Sequence, residues 1–337
     1  MATRRLPRTT TIPTRTSGLK SASESTARRP AEPTSGSRST NGRRGATLAA
    51  AATGVLVGAA MVSTRAVTND VPLTTLAFLR YLVGFAILAA PVAVAKRVHF
   101  ALKDLVAIAV LGILQFALLI LLLNYALSAL SATTCSLVFA TMPLFTMCFA
   151  VALGSEAYST RKLAGVALAV AGVVCLLNAG PSRGAIHVEA VRGFAALVAA
   201  TLVGAITSLL YRPYLRRYPA LPTCGVAMGA AVLFLGVACF ATSQPLLPHL
   251  PWPAWSNVLF LGLSSGVGYF FWLWALANMD ASRVVAFQAL GPVTAAIIES
   301  IILRRAPTAP LLLSLTMITL GLTVAMRHPG TEKQLGT

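Results

Sequence analysis

Gln288–Ser300 reads QALGPVTAAIIES. The stretch sets an amide, a Gly-Pro pair and a carboxylate into an otherwise apolar run. A soluble core helix rarely buries an unpaired Glu, and a plain membrane anchor has no use for a Glu or a mid-helix proline. Polarity stands here where its surroundings disfavour it.

Those surroundings follow from composition. Of 337 residues, 56% are hydrophobic and 11% charged, against about 25% charged in soluble proteins, and the mean hydropathy is +0.77. This is the composition of a chain solvated by lipid. Ten runs approach the roughly 20 residues needed to cross a hydrocarbon core: 46–66, 73–95, 104–126, 131–153, 162–179, 192–211, 222–243, 254–277, 282–303 and 308–326. The fold expected is an all-α integral membrane protein of ten transmembrane helices. The short connections leave no room for a soluble domain.

The formal charge of +18 does not indicate nucleic acid, because ten of the 27 basic residues fall in the first 44. That segment is rich in Ser, Thr and Pro, lacks an apolar stripe, and reads as a disordered basic tail. An Arg- and Ser-rich, acid-poor leader also fits an organellar transit peptide. The alternative is a cytoplasmic tail drawn to anionic lipid. Basic residues in the loops and C-terminal tail placed inside number eleven and those in loops placed outside number five, so both termini are expected in the cytoplasm. An excess of Arg over Lys and abundant Ala point to a GC-rich bacterial genome, and so to the plasma (inner) membrane.

The two halves of the chain resemble each other. YALSALSATTCSLVFATMP, from Tyr125, and WALANMDASRVVAFQALGP, from Trp274, align about 150 residues apart and end at Pro143 and Pro292. With five spans in each unit the second must enter the membrane upside down, as in the inverted repeats of secondary transporters, where a substrate site lies between the halves. The expected organisation is a tail over 1–44, one five-helix repeat over 46–179, a second over 192–326, and a C-terminal tail over 327–337.

Chemistry-bearing residues are few. Cys135, Cys148, Cys175, Cys224 and Cys239 are scattered without metal-ligand spacing and read as packing residues, so neither a disulfide framework nor a metal site is expected. GLSSG at Gly262–Gly266 matches a serine-hydrolase pattern, but no His falls within any expected span to serve as base. Its glycines, like Gly54 and Gly58, suit close helix packing. No catalytic residue, cofactor or ATP-binding loop is indicated.

Gln288, Pro292, Ala295 and Glu299 share one helical face, a stripe of small and polar residues suited to a cavity wall. Pro143 and Pro292 are expected to shape that cavity at mid-span, with Gly291 permitting close helix approach. Glu299 either binds a proton or cation in an outer vestibule, as the coupling candidate, or pairs with a basic neighbour, of which Arg80 is the natural choice. Arg80 in turn binds a substrate carboxylate or phosphate, or neutralises Glu299. Gln115, Asn124, Tyr125, Ser136, Ser265, Tyr269, Trp272 and Trp274 complete the cavity candidates, each with helix-to-helix hydrogen bonding or interfacial packing as the alternative. Trp252 and Trp255 suit an outer aromatic belt, and Tyr211, Tyr214 and Tyr218 an inner one.

PLTTLAFLR (Pro72–Arg80), the two aligned tracts, and EAYSTRKLAGVALAVAGV (Glu156–Val173) together resemble the drug/metabolite transporter superfamily and its ten-helix EamA-type members. The resemblance covers about 46–326. It implies an exporter or exchanger of small metabolites with a central cavity lined by both halves. One departure stands out: the place matching Glu156 in the second half holds Arg305, and a Glu appears six positions earlier, at Glu299. The expected partners are a small organic solute, amino-acid-like or drug-like, the lipid bilayer and protons, with a homodimer as the candidate assembly. The rival readings are an organellar metabolite or phosphate-ester exchanger, a lipid flippase or scramblase, and a non-transporting scaffold.

Overall fold

A computed structural model describes residues 35–94, 98–152, 160–178, 188–279, 284, 287–304, 306 and 308–326. Expectations that fall on 1–34, on 327–337, or on Lys96, Arg97, Glu156, Arg183, Arg283 and Arg305 lie outside this set.

Among the described residues every regular element is helical. A segment in lipid must pair its own backbone polar groups, and an apolar run does so only by coiling into a helix. The helices are α1 (Ser35–Val67), α2 (Leu73–Val94), α3 (Leu102–Gly112), α4 (Leu119–Ala129), α5 (Ala132–Phe139), α6 (Met142–Ala152), α7 (Thr160–Asn178), α8 (Val188–Arg217), α9 (Ala220–Ala241), α10 (Trp252–Asn278), α11 (Leu290–Leu303) and α12 (Ala309–Met326). A π-helical turn, Ile113–Leu118, fuses α3 and α4 into one rod, while α5 and α6 form a second rod broken at Ala140–Thr141. Within the described residues seven stretches are long and apolar enough to cross a membrane: Arg44–Val67, Leu73–Val94, Leu102–Ala129, Ala132–Phe149, Val188–Arg217, Ala220–Ala241 and Trp252–Asn278. Leu290–Ile302 and Ala309–Gly321 are shorter apolar helices. α1 reaches back to Ser35, into the segment read as tail.

The two prolines do not stand inside continuous helices at mid-span. Pro143 and Pro292 lie in the first turns of α6 and α11, where a missing N–H costs little because that turn has no intrahelical acceptor. Without an amide at 143 the ladder breaks, and Thr141 N and Leu144 N instead donate to Val138 O (3.0 Å) and Thr141 O (2.9 Å), each three residues back. The second half makes the corresponding break with a short 3₁₀ turn, Phe287–Ala289, before α11.

Packing runs mainly between halves rather than within them. α1 lies on α10 and α11, α2 on α10 and α9, α3 on α9, α4 and α6 on α8, and α7 on α12. Exchanging each rod for the one five rods later maps this pattern onto itself, as a two-fold axis would. The closest crossings use glycine. A Cβ on Gly266 would stand 2.7 Å from Gly84 O where α10 crosses α2. On α1, a Cβ at Gly54 would strike Phe287 O and one at Gly58 would strike Gly291 O. Gly291 itself departs from expectation: a Cβ there would meet nothing nearer than Gly54 O at 3.6 Å. Small residues at such crossings let backbones approach where lipid supplies no hydrophobic drive.

Candidate functional site

Between the halves lies a cavity of about 90 Å³. Its wall takes Thr53, Met61 and Thr64 from α1, Arg80 and Tyr81 from α2, Gln115 from the π turn, Leu119 and Leu123 from α4, Phe139 and Met142 from either side of the α5–α6 break, Ser264, Ser265, Tyr269 and Trp272 from α10, and Gln288. Most of this surface is apolar, with a few polar groups among it, the usual make-up of a small-molecule site.

The irregular elements shape it. The π turn displaces Gln115 and Phe116 from straight α-helical register, and such bulges recur at functional sites. Phe116 packs edge-on between Tyr81 (centroids 4.9 Å apart) and Tyr269 (4.2 Å), and Tyr269 packs on Trp272 at 5.0 Å, making a continuous aromatic wall. Gln115 accepts a hydrogen bond from the Thr207 hydroxyl of α8, which ties the π turn to the opposite half.

Arg80 is the one charged residue among the described residues lining the cavity. It is buried, its Nε–H donates to the Ser265 hydroxyl of α10, and its guanidinium carbon lies 5.7 Å from the centroid of the Tyr81 ring. Arg80 and Ser265 therefore meet across the Gly84–Gly266 crossing, which brings the two helices within reach of each other.

Glu299 does not pair with Arg80, and it is absent from the cavity wall. From α11 its carboxylate accepts from Ala132 N (3.0 Å), Thr133 N (3.2 Å) and the Thr133 hydroxyl, while Ser131 Oγ accepts from Thr134 N (3.1 Å). Three otherwise orphaned amides of α5 are thereby satisfied, and the carboxylate sits at the positive end of the helix dipole. That local field explains the placement, since an N-terminal turn offers a carboxylate the positive charge expected of Arg80. On the other side of the same junction, Arg65 of α1 donates to Leu127 O (2.8 Å) and Ser128 O (2.7 Å) at the end of α4. The α4–α5 connection is thus held by a cation at the helix end before it and a carboxylate at the helix start after it.

The cavity gathers Arg80, Gln115, Ser265, Tyr269, Trp272 and Gln288 from the residues expected there, and leaves out the others. Asn124 is buried and donates to Leu73 O at 3.1 Å, anchoring the start of α2. Tyr125 is turned outward, Ser136 bonds Thr133 O within its own helix at 2.9 Å, and Trp274 packs over Gly45. Pro143 and Pro292 are buried beside their helix breaks and do not line the space. Tyr211 belongs to the core rather than to an interfacial belt, being wholly buried.

Thr53, Thr64, Tyr81, Ser264, Phe139 and Met142 were missed. In helices apolar on every side, no periodicity marks the face that turns inward. Ser264 alone had a signal, standing beside Ser265 within the GLSSG glycines.

Two matched helical halves, interleaved in apolar rods around a small cavity whose described wall holds one buried cation, are the architecture of a membrane carrier. The chain belongs to the EamA-like transporter family, whose model matches it twice, over residues 44–178 and 191–327. It is similar to a probable terminal-alkyne amino-acid exporter of Streptantibioticus cattleyicolor, with 28% identity over 233 residues, 67% of this chain and 73% of that protein. In fold it resembles a crystal structure with a TM-score of 0.65 at 22% identity, covering 83% of this chain and 96% of the other.

Proposed function

We propose that this chain is a secondary transporter that exports a small organic solute, amino-acid-like in character, by alternating access. The observation that carries the reading is the cavity between the halves, walled from both by α1, α2 and α4 on one side and α10 and Gln288 on the other. A solute bound there touches both halves, so rocking one against the other exposes it to one side at a time. The name of the relative above supports an amino-acid-like cargo.

In this reading ten helices span a bacterial plasma membrane with both termini in the cytoplasm. The repeats over 46–179 and 192–326 are inverted with respect to each other, and Arg80, Gln115, Ser265, Tyr269, Trp272 and Gln288 contact the solute. Glu299 acts at the α4–α5 junction, where its release from α5 is linked to opening and to proton movement. A homodimer is compatible with this arrangement.

The test is a mass-spectrometric comparison of medium and cell contents for cells expressing the wild type, Glu299→Gln or empty vector at matched protein levels. Export predicts a small set of solutes moved to the medium by the wild type alone. No shift against empty vector contradicts export, and a Glu299→Gln variant that keeps full dependence on an imposed pH gradient contradicts the coupling role.

A further inference from the structure

We infer that the cavity selects solutes by charge: it binds a carboxylate on Arg80 and rejects amines that lack one, which makes its cargo a small α-amino acid with an uncharged side chain. This deepens the transport reading and rests on it.

A guanidinium removed from water needs an anion or a full set of acceptors, and it stays protonated under any physiological condition. Arg80 is 9% exposed, and its described partners are one serine hydroxyl and an aromatic face, both weak substitutes for a carboxylate. The described residues that line the cavity include no Asp or Glu. The acid that sequence reasoning assigned to Arg80, Glu299, is engaged at the start of α5 instead. Among the described residues no acid supplies the counter-charge, and an anionic ligand can.

Geometry favours a carboxylate. The Nε–H is committed to Ser265, which leaves the terminal amino groups of the guanidinium for a planar two-oxygen acceptor. On the same cavity wall, Trp272 Nε1–H is a donor and Gln288 Oε1 an acceptor, and neither has a hydrogen-bond partner among the described residues; the same holds for Thr64 Oγ1. A zwitterion uses both kinds of group: its carboxylate takes the guanidinium and the indole N–H, and its ammonium takes the amide oxygen and the threonine hydroxyl. An amine without a carboxylate brings a second positive charge beside Arg80 with no Asp or Glu among the described lining residues to offset it, and like charges in a poorly solvated site repel strongly. The leucines and methionines of the wall suit an apolar side chain.

The experiment uses the full chain in lipid nanodiscs and three probes of similar carbon skeleton: 2-aminobutyric acid, butyric acid and 2-aminobutanamide. Binding is followed by thermal stabilisation and isothermal titration. The wild type should bind 2-aminobutyric acid most tightly, butyric acid more weakly, and the amide, an ammonium without a carboxylate, not measurably. Arg80→Gln should weaken binding of both acids by about tenfold or more, and Arg80→Lys, which keeps the charge and loses the fork, should fall between. A single symmetric peak in size-exclusion chromatography and an intact thermal transition show that each variant is folded. Binding of the amide as tight as that of the amino acid, unchanged affinity in a folded Arg80→Gln variant, or no binding of any probe by the wild type would overturn the assignment. Cells that export only amines or uncharged solutes would also overturn it while leaving transport standing; cells that export nothing remove the transport reading itself.

Discussion

Gly58→Ala and Gly291→Ala add the same methyl group to facing helices, and their consequences should differ. A Cβ on Gly58 runs into the backbone oxygen of Gly291 and comes within 2.9 Å of Thr294 Cβ, about half an ångström inside ordinary contact at 3.4 Å. Backbone cannot step aside, so α1 and α11 must part along the crossing. Overpacking of this kind costs about 1–3 kcal/mol, and the upper half of that range applies where the obstruction is main chain. Alanine returns about 1 kcal/mol through its better helix propensity, so the net loss for Gly58→Ala is about 1–2 kcal/mol. A Cβ on Gly291 meets its nearest atoms outside the adjoining residues at 3.6, 3.7 and 3.9 Å, all ordinary contacts, so packing does not oppose it, while the ring of Pro292 disfavours a side chain on helical backbone just before it and offsets the propensity gain of up to about 1 kcal/mol. The assay is thermal unfolding of the purified full chain in nanodiscs, followed by tryptophan fluorescence at matched lipid composition. Gly58→Ala should melt several degrees below the wild type and Gly291→Ala close to it. A Gly291→Ala variant that is the less stable of the two would refute this description of the crossing.

Other expectations follow from the capped junctions. Glu299→Ala leaves two amides of α5 without their acceptor and should cost about 1–3 kcal/mol in the same melt, whereas Glu299→Gln keeps an acceptor oxygen and should lose about half as much. Asp104 accepts from Arg217 at 2.8 Å and from Tyr218 at 2.7 Å, but the Arg217 side chain is 65% exposed. Asp104→Asn should therefore change stability by under about 1 kcal/mol, and chemical denaturation at low and high salt should show little difference between variant and wild type.

The helical, membrane-embedded class was legible because hydropathy over some twenty residues reports the solvent directly. The repeat was legible because Pro143 and Pro292 mark equivalent breaks in two similar tracts. What those prolines do was harder to read, since a missing amide is compatible with a kink inside a helix or with a fresh start, and the choice depends on the neighbouring turn. The cavity was half legible. Arg80 and Gln288 stood out because polarity is costly in lipid, while Tyr81, Phe139 and Met142 look like any other apolar-facing residue until the helices pack. Polarity alone also misled, for Asn124 and Glu299 are spent on backbone groups at helix ends. The π turn at Ile113–Leu118 had no mark in its run of leucines and isoleucines.

The most direct test of the account is solute release from sealed liposomes that contain only the purified chain, preloaded with a solute identified in the medium of expressing cells and held without ATP. Release that saturates with internal solute concentration, exceeds that of protein-free liposomes and falls sharply in a folded Arg80→Gln variant is the predicted result. Release no faster than from protein-free liposomes would contradict the claim that this chain carries solute through the cavity between its halves.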